Sequence, residues 1–330
     1  TPALLASFVK GSGEATVSFS RLRGVEPGPL LDSLYRYPYG CTEQLTSAAF
    51  PLLFVDVLGG EAERGPERAV RPRIQKAVNT LLERQSADGA FGLWAEGDGW
   101  ASPWLGAYVV DFLFRAKEQG YAVPEESMSR AYDALAQVAR LDRWVGARYQ
   151  MTVYSGPGSN DSNDRLRRRS AAYAFYVLAR AGRADLSDLR YFHDAILKET
   201  PDPLAKAHIA AALAIMGDRS RSANAFARAA EAIGYENTGD YYQTPLGDVS
   251  GVLALAAEAG RSEMTDSLSS RFSALMKEPE RLHTQEKAFV LLASQALLRS
   301  AGPLALSRNG ARLTDARPAP SFTLAAAGLE

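Results

Sequence analysis

Apolar residues recur at intervals of three and four along most of this chain. The pattern runs from Leu30 to about Ala301 and predicts about a dozen helices, because residues at that spacing share one helix face. The predicted helices are residues 30–35, 45–58, 74–82, 104–116, 128–141, 171–181, 186–197, 204–216, 223–233, 246–259, 264–276 and 288–298. Most connections between them are short and rich in Gly, Pro or Asp, as expected for antiparallel helical hairpins.

Both ends of the chain follow a different pattern. Residues 15–20 and 321–324 alternate between apolar and polar side chains, which predicts short β-strands. We therefore expect three parts: a β segment at 1–24, a helical domain at 25–302 and a returning β segment at 303–330. The last part begins near Pro303 and contains a predicted turn at 307–310.

Two connections, 87–102 and 150–163, are too long to be plain turns. Long irregular loops on a rigid scaffold are where binding surfaces tend to lie. Acidic residues in the predicted loops include Asp88, Glu96 and Asp98 in the first of these connections and Asp240 in the connection between 233 and 246. Two of them would supply the carboxylate pair of a glycoside hydrolase. An enzyme of the glycoside hydrolase or cyclase type that uses loop carboxylates therefore stays open as an alternative function.

Composition narrows the function classes. The formal net charge of −1 over 330 residues gives no electrostatic reason to expect nucleic acid or an anionic membrane as partner. The basic run at 165–169 is interpreted as a solvated helix start. No apolar run is long enough to span a bilayer and no signal peptide is present, and the start at Thr1 rather than Met suggests a piece of a longer protein. No zinc, phosphate-loop or Gly-x-Ser-x-Gly motif is present, so we expect no metal and no cofactor.

The candidate chemistry lies at the only cysteine in the sequence, Cys41. Gln44 follows three residues later, at the start of the predicted 45–58 helix, and residues three apart are neighbours on a helical turn. A thiol beside a carboxamide can displace ammonia and close an internal thioester, which stores an electrophile for amines or water. The alternative is a buried cysteine that packs as a small hydrophobic residue.

The stretch GCTEQ at residues 40–44 resembles the thioester signature Gly-Cys-x-Glu-Gln of the alpha-2-macroglobulin and complement family. The preceding YPY at 37–39 is similar to the lead-in of bacterial members, and residues 103–108 and 284–287 extend the resemblance along the chain. The resemblance implies an all-α fold, an α/α toroid of about six helical hairpins, flanked at both ends by short β segments of a CUB-like domain.

The resemblance also implies a function. The chain would be the thioester domain of a broad-spectrum protease inhibitor, in which lysine amines of an attacking protease open the Cys41–Gln44 bond once, without turnover. Its partners would be target proteases and the neighbouring macroglobulin and CUB domains of the same protein. The location implied is the periplasm, with attachment to the inner membrane outside this fragment and a role in defence or colonisation. We expect a monomer with no membrane insertion.

Several residues are expected to support the bond. Tyr37, Tyr39 and Gly40 precede Cys41 directly, and the two tyrosines would either shield the thioester or pack in the core. Glu43 is a first-turn acid that the helix dipole favours, or a group that assists thioester formation. The tryptophans considered as further shielding are Trp94, Trp100 and Trp104, for which core packing is the competing interpretation.

A histidine separates two modes of thioester attack. In family members that transfer to hydroxyls, a histidine in a downstream loop attacks first. The corresponding loop, 150–163, contains no histidine, and His193, His208 and His283 lie in or beside predicted helices. We therefore expect direct attack by lysine amines. A further alternative is a non-covalent interaction scaffold with an inert thioester remnant.

Overall fold

The structure is a computed structural model that describes residues 14–18, 25–35, 40–58, 69–98, 102–140, 159–234, 243–276, 281–301, 307–308, 311–312 and 321–325. Its helices are α1 (Pro27–Tyr35), α2 (Thr42–Ala49), α3 (Val55–Leu58), α4 (Val70–Leu82), α5 (Pro103–Glu118), α6 (Glu125–Ala139), α7 (Ser159–Arg180), α8 (Leu186–Tyr191), α9 (Pro203–Ile215), α10 (Arg219–Ala232), α11 (Pro245–Glu258), α12 (Ser262–Leu275) and α13 (Thr284–Ala301). Its strands are β1 (Glu14–Ser18), β2 (Ser307–Arg308), β3 (Ala311–Arg312) and β4 (Ser321–Ala325).

Six of these helices form a closed inner ring. In ring order they are α2, α5, α7, α9, α11 and α13, and α13 returns to pack against α2. The helix before each of them in the chain packs on the outside: α1, α4, α6, α8, α10 and α12. This alternation makes six hairpins, and it confirms the predicted α/α toroid.

Burial explains which helices lie inside. All eleven residues from Leu246 to Ala256 of α11 are buried, as expected for a helix surrounded by protein. The outer helix α4 instead buries one stripe, formed by Ile74, Ala77, Val78 and Leu81. In the described part of the chain, no helix combines the length and apolar character needed to cross a bilayer.

Several predicted helix bounds were wrong. The 45–58 segment is broken, because Pro51 has no N–H to continue the α-helical bonding, and a 3₁₀ helix at Pro51–Phe54 separates α2 from α3. Helix α7 begins at Ser159, so the predicted helix 171–181 was too short and the predicted loop 150–163 was too long.

The interpretation of the basic run 165–169 as solvated is wrong for Arg169. This residue is buried, and its guanidinium lies 5.1 Å from the Trp104 ring centroid.

The two ends of the chain meet in one small sheet. Strand β1 pairs antiparallel with β4, with Glu14 opposite Ala325 and Ser18 opposite Ser321. Strands β2 and β3 form a second antiparallel pair on either side of 309–310. The alternating patterns at 15–20 and 321–324 therefore did indicate strands, and the exact domain boundaries stay a prediction.

The connection after α4 ties the ring to the outer helices. Gln85 and Phe91 form an isolated antiparallel bridge, and the Gln85 carboxamide donates a hydrogen bond to the Ser127 carbonyl of α6 over 2.9 Å. Gly89 has a φ of +87°, and a Cβ at this position would lie 2.1 Å from the Arg130 carbonyl oxygen. Only glycine fits this approach, so the hairpin is held rigidly beside the start of α2.

Candidate thioester site

The first turn of α2 brings Cys41 and Gln44 together. Cys41 is the N-cap residue, and its N–H donates a hydrogen bond to the Gln44 Oε1 atom over 3.2 Å. In the reciprocal half of this capping box, the Cys41 side chain faces the Gln44 N–H. The thiol and the carboxamide therefore lie on the same side of one turn. The bond between them stays a prediction.

The surroundings of Cys41 favour a neutral thiol. The side chain is only 7% exposed, and this burial raises the pKa of the Cys41 thiol above its usual value. The main-chain N–H groups of Gln44 and Glu43 act in the opposite direction, and Arg84 adds a smaller effect of the same sign as theirs. A thiolate formed at Cys41 would thus accept hydrogen bonds from main-chain N–H groups at the start of α2.

Glu43 lies inside the ring rather than at its surface. It is 4% exposed, and its carboxylate accepts a 2.6 Å hydrogen bond from the Ser47 hydroxyl and a 2.9 Å bond from the Thr284 hydroxyl of α13. The Ser47 hydroxyl also lies 3.1 Å from the Tyr108 hydroxyl of α5. This network links three inner helices, and burial raises the pKa of Glu43.

The raised pKa of Glu43 makes stability depend on pH in a definite direction. Because the folded state holds the proton more tightly, the stabilisation is present below the unfolded value near 4.5 and is lost as pH rises through the folded pKa. We expect Glu43→Gln to gain melting temperature relative to the native chain as pH increases from 4 to 8. Melting curves across this range check the prediction, with the exposed Glu83→Gln as control; a pH-independent difference for Glu43→Gln would contradict it.

Arg84 clamps the turn that carries Cys41. Its Nη2 donates to the Gly40 carbonyl over 2.7 Å, and its Nη1 donates to the Thr42 hydroxyl and to the Leu93 carbonyl over 3.1 and 3.2 Å. Thr42 in turn donates its N–H to the Leu93 carbonyl and its hydroxyl to the Gly92 carbonyl. The loop after the Gln85 hairpin thus holds the start of α2 in place.

The acidic residues of that loop have structural partners. The Asp98 carboxylate accepts N–H bonds from Leu93, Trp94 and Ala95, and the Asp88 carboxylate accepts one from Ala90. Glu96 is exposed, and Asp240 lies outside the described residues. The described geometry therefore assigns Asp88 and Asp98 to holding the loop, and it gives the carboxylate-pair hypothesis no support.

The aromatic candidates separate into two groups. Trp104 is 2% exposed and packs 5.4 Å from the Tyr108 ring and 5.8 Å from the Tyr173 ring, centroid to centroid. Trp104 therefore belongs to the core, which was the competing interpretation of this residue. Trp94 is 54% exposed and is no part of a buried shield in this domain. Tyr37, Tyr39 and Trp100 lie outside the described residues.

Two of the three histidines are placed as non-catalytic residues. His208 is buried, its ring stacks 4.0 Å from that of Tyr173, and burial lowers the pKa of His208 well below its usual range. The His193 side chain is 10% exposed and lies between Asp194 and Asn224 of α10. Both histidines are therefore largely packed, which agrees with the interpretation given to them from the sequence.

His283 is the histidine that the fold brings nearest to the Glu43 network. It precedes Thr284, whose hydroxyl binds Glu43. Its ring Nδ1 accepts the Glu286 N–H over 3.3 Å, and the Glu286 carboxylate accepts the His283 N–H over 3.2 Å. This reciprocal pair caps α13 and engages one ring nitrogen.

Sequence reasoning missed Arg84, Ser47, Tyr108 and the role of Thr284. Ser47 had a weak signal, because it follows Glu43 by four residues and so shares its helix face. Tyr108 and Thr284 lie in the stretches 103–108 and 284–287 that carry the resemblance, but it assigned no role to them. Arg84 had no signal, since its contact with Gly40 joins residues that are 44 positions apart.

Comparison with known proteins agrees with this geometry. Residues 25–142 match the family model of the A-macroglobulin TED domain, where TED denotes the thioester-containing domain. An alpha-2-macroglobulin of Xylella fastidiosa is 31% identical over 223 residues, which are 67% of this chain and 13% of that protein. The chain therefore spans about an eighth of the length of this curated relative.

Solved structures give the same answer over nearly the whole chain. Salmonella alpha-2-macroglobulin reacted with methylamine superposes with a TM-score of 0.77 and 27% identity, covering 100% of this chain and 21% of that one. Trypsin-activated alpha-2-macroglobulin from Escherichia coli gives a TM-score of 0.65 and 26% identity, covering 98% of this chain and 22% of that one. The chain thus belongs to the alpha-2-macroglobulin family, as a thioester domain of the bacterial type.

Proposed function

We propose that Cys41 and Gln44 form an internal thioester. The observation that carries this proposal is the reciprocal capping box, in which each residue's side chain faces the other residue's main chain. The Cys41 sulfur attacks the Gln44 Cδ, the C–N bond breaks, and the thiol proton leaves with ammonia. The capping contacts hold both groups before reaction, so little orientational freedom is lost in the ring closure.

The thioester then serves to capture amines. A lysine amine attacks the Gln44 Cδ, a C–N bond forms, the C–S bond breaks, and the proton lost by the amine goes to the Cys41 thiolate. The product is an isopeptide bond and a free thiol, so each molecule acts once. The reaction of the Salmonella relative with methylamine, as its structure is described, supports this amine chemistry.

In a longer protein this chemistry would trap proteases covalently. Members of the alpha-2-macroglobulin family are protease inhibitors rather than turnover enzymes, and the Escherichia coli relative is described as trypsin-activated. A protease held close to the exposed thioester presents its lysines at high effective concentration, which lets capture compete with hydrolysis. Neighbouring macroglobulin and CUB domains would supply the regions that bind and sense the protease.

We also propose a location, which rests on the resemblance of residues 37–44 to bacterial members of the family. We place the full-length protein in the periplasm, attached to the inner membrane, where it would meet proteases that cross the outer membrane and so act in defence or colonisation. Fractionation of cells that express the full-length protein tests this location: recovery with the cytosol would contradict it.

The intact mass of freshly purified protein tests the thioester itself. We expect a mass lower than the encoded chain by one ammonia. Methylamine should then add at Gln44 and release one free thiol at Cys41. A mass equal to the encoded chain, with a free thiol and no methylamine uptake, would overturn the proposal. Conversion of Gln44 to Glu would instead show a bond that formed and was hydrolysed.

A further inference from the structure

We propose that Arg84 is a positioning residue for the thioester chemistry and acts through the Gly40–Cys41 peptide. The inference rests on the proposed function, since it concerns how the Gln44 acyl group reacts. Nothing in the sequence pattern pointed to Arg84, and the geometry around the first turn of α2 carries the argument.

The Gly40–Cys41 peptide is bound at both of its polar ends. Its carbonyl oxygen accepts a 2.7 Å hydrogen bond from Arg84 Nη2, and its N–H donates to Gln44 Oε1 over 3.2 Å. Because a peptide unit is planar and trans, the guanidinium that fixes the carbonyl also fixes the direction of the N–H. Arg84 therefore aims this N–H at the oxygen of the acyl group that reacts.

That oxygen is where charge develops. Attack on the Gln44 Cδ, by the Cys41 sulfur in bond formation or by an amine in capture, gives a tetrahedral centre with negative charge on Oε1. A preorganised N–H at this position stabilises the centre more than the ground-state carbonyl. A charged donor on the other end of the same peptide polarises it and strengthens the N–H as a donor.

The guanidinium is itself held rigidly. Besides the Gly40 carbonyl, it donates to the Thr42 hydroxyl and to the Leu93 carbonyl, so both Nη atoms are engaged on the turn and the adjacent loop. The side chain is half-buried, which limits competition from water. A lysine presents one compact ammonium in place of this planar fork, and it cannot make both sets of contacts.

Arg84→Gln and Arg84→Lys test the proposal against the control Arg130→Lys. Arg130 contacts Gln85 and Glu126 in the same hairpin region but makes no described contact with residues 40–44. Thioester occupancy is measured by intact mass, methylamine incorporation by its rate constant among molecules that hold the bond, and folding by melting temperature. Removal of an oxyanion donor typically costs about 100- to 1,000-fold, so loss of a group that acts on the donor should slow incorporation by about 10- to 100-fold in Arg84→Gln.

Methylamine incorporation should be fastest in the native chain and equally fast in Arg130→Lys. It should be slower in Arg84→Lys and slowest in Arg84→Gln. The rate per unprotonated methylamine should fall by the same factor at every pH from about 7 to 9, because no Cys41 thiol is present to titrate in molecules that hold the bond. An Arg84→Gln rate within twofold of the native rate would overturn the proposal. A variant whose pH–rate profile is the native profile moved along the pH axis would overturn it as well. If Arg84→Gln does not fold, the same criteria apply to Arg84→Lys. A native chain without a thioester would defeat the proposed function and this inference together, whereas a native thioester with unaffected variants defeats this inference alone.

Discussion

Replacing Cys41 with alanine is expected to abolish methylamine uptake and covalent protease capture completely, while the fold stays nearly intact. The thiol is the only sulfur nucleophile in the sequence, and without it Gln44 remains an ordinary carboxamide. The loss in stability is limited to the N-cap contact and a small buried group, about 1 kcal/mol. Intact mass with and without methylamine, together with urea unfolding, measures both effects.

Gln44→Glu is the matched control for this variant. A glutamate at the same position keeps an acceptor for the Cys41 N–H and so keeps the capping box, yet it cannot release ammonia. It should unfold like the native chain without its thioester and show no methylamine uptake. A loss of several kcal/mol in Cys41→Ala with native behaviour in Gln44→Glu would instead favour a cysteine whose role is packing.

The sequence was informative where the fold depends on local periodicity. The spacing of apolar residues predicted the helical hairpins, because each helix must bury either one face or its whole surface. The i, i+3 spacing of Cys41 and Gln44 likewise determined their approach, since both lie in one turn. The alternating ends were sufficient to indicate strands β1 and β4.

Contacts between distant segments could not be obtained in this way. Periodicity does not encode which segment meets the start of α2, so the Arg84 clamp and the bond between Thr284 and Glu43 were missed. Thr42 has a residue type that often caps helices, but Cys41 is the N-cap and the Thr42 hydroxyl donates to the Gly92 carbonyl. A polar residue at a helix start has several available partners, and tertiary packing decides among them.

The two ends of the ring differ in their electrostatics, because helix N-termini lie at one end and helix C-termini at the other. The proposed thioester would lie at the N-terminus of α2, where the N–H groups of the first turn would favour a departing thiolate. At the opposite end, residues near the C-termini of α5, α7, α9, α11 and α13 line a cavity of about 720 Å³. Arginines occupy the last turns of three of these helices, Arg115, Arg180 and Arg299, which complements the negative ends of the helix dipoles.

Arg115→Met is expected to lower the free energy of unfolding by about 3 to 5 kcal/mol, the usual effect of removing one partner from a buried ion pair. Arg115 is 11% exposed and binds the Asp111 carboxylate at 2.9 Å and the Glu258 carboxylate at 2.8 Å. Methionine fills similar volume but leaves two carboxylates without their shared cation. Since these residues join α5 to α11 across the ring, urea unfolding should report the loss cooperatively.

The free energy of unfolding measured at acid pH gives a second, independent test of the same contact. Burial disfavours the ionised form of Glu258, but the charge and hydrogen bonds of Arg115, with smaller effects of Arg180 and the Tyr176 hydroxyl, outweigh it and lower the pKa of Glu258 to about 2. This stabilisation is therefore present above about pH 4.5 and lost as pH falls towards 2. The loss should be smaller in Arg115→Met, because the largest cause of the lowered pKa has been removed. Arg221→Met is the control: Arg221 is 35% exposed in its pairs with Asp194 and Asp218, so its removal should cost clearly less than the removal of Arg115. Equal costs for the two variants would contradict the assignment, because they would show that the Arg115 cluster behaves as a surface pair.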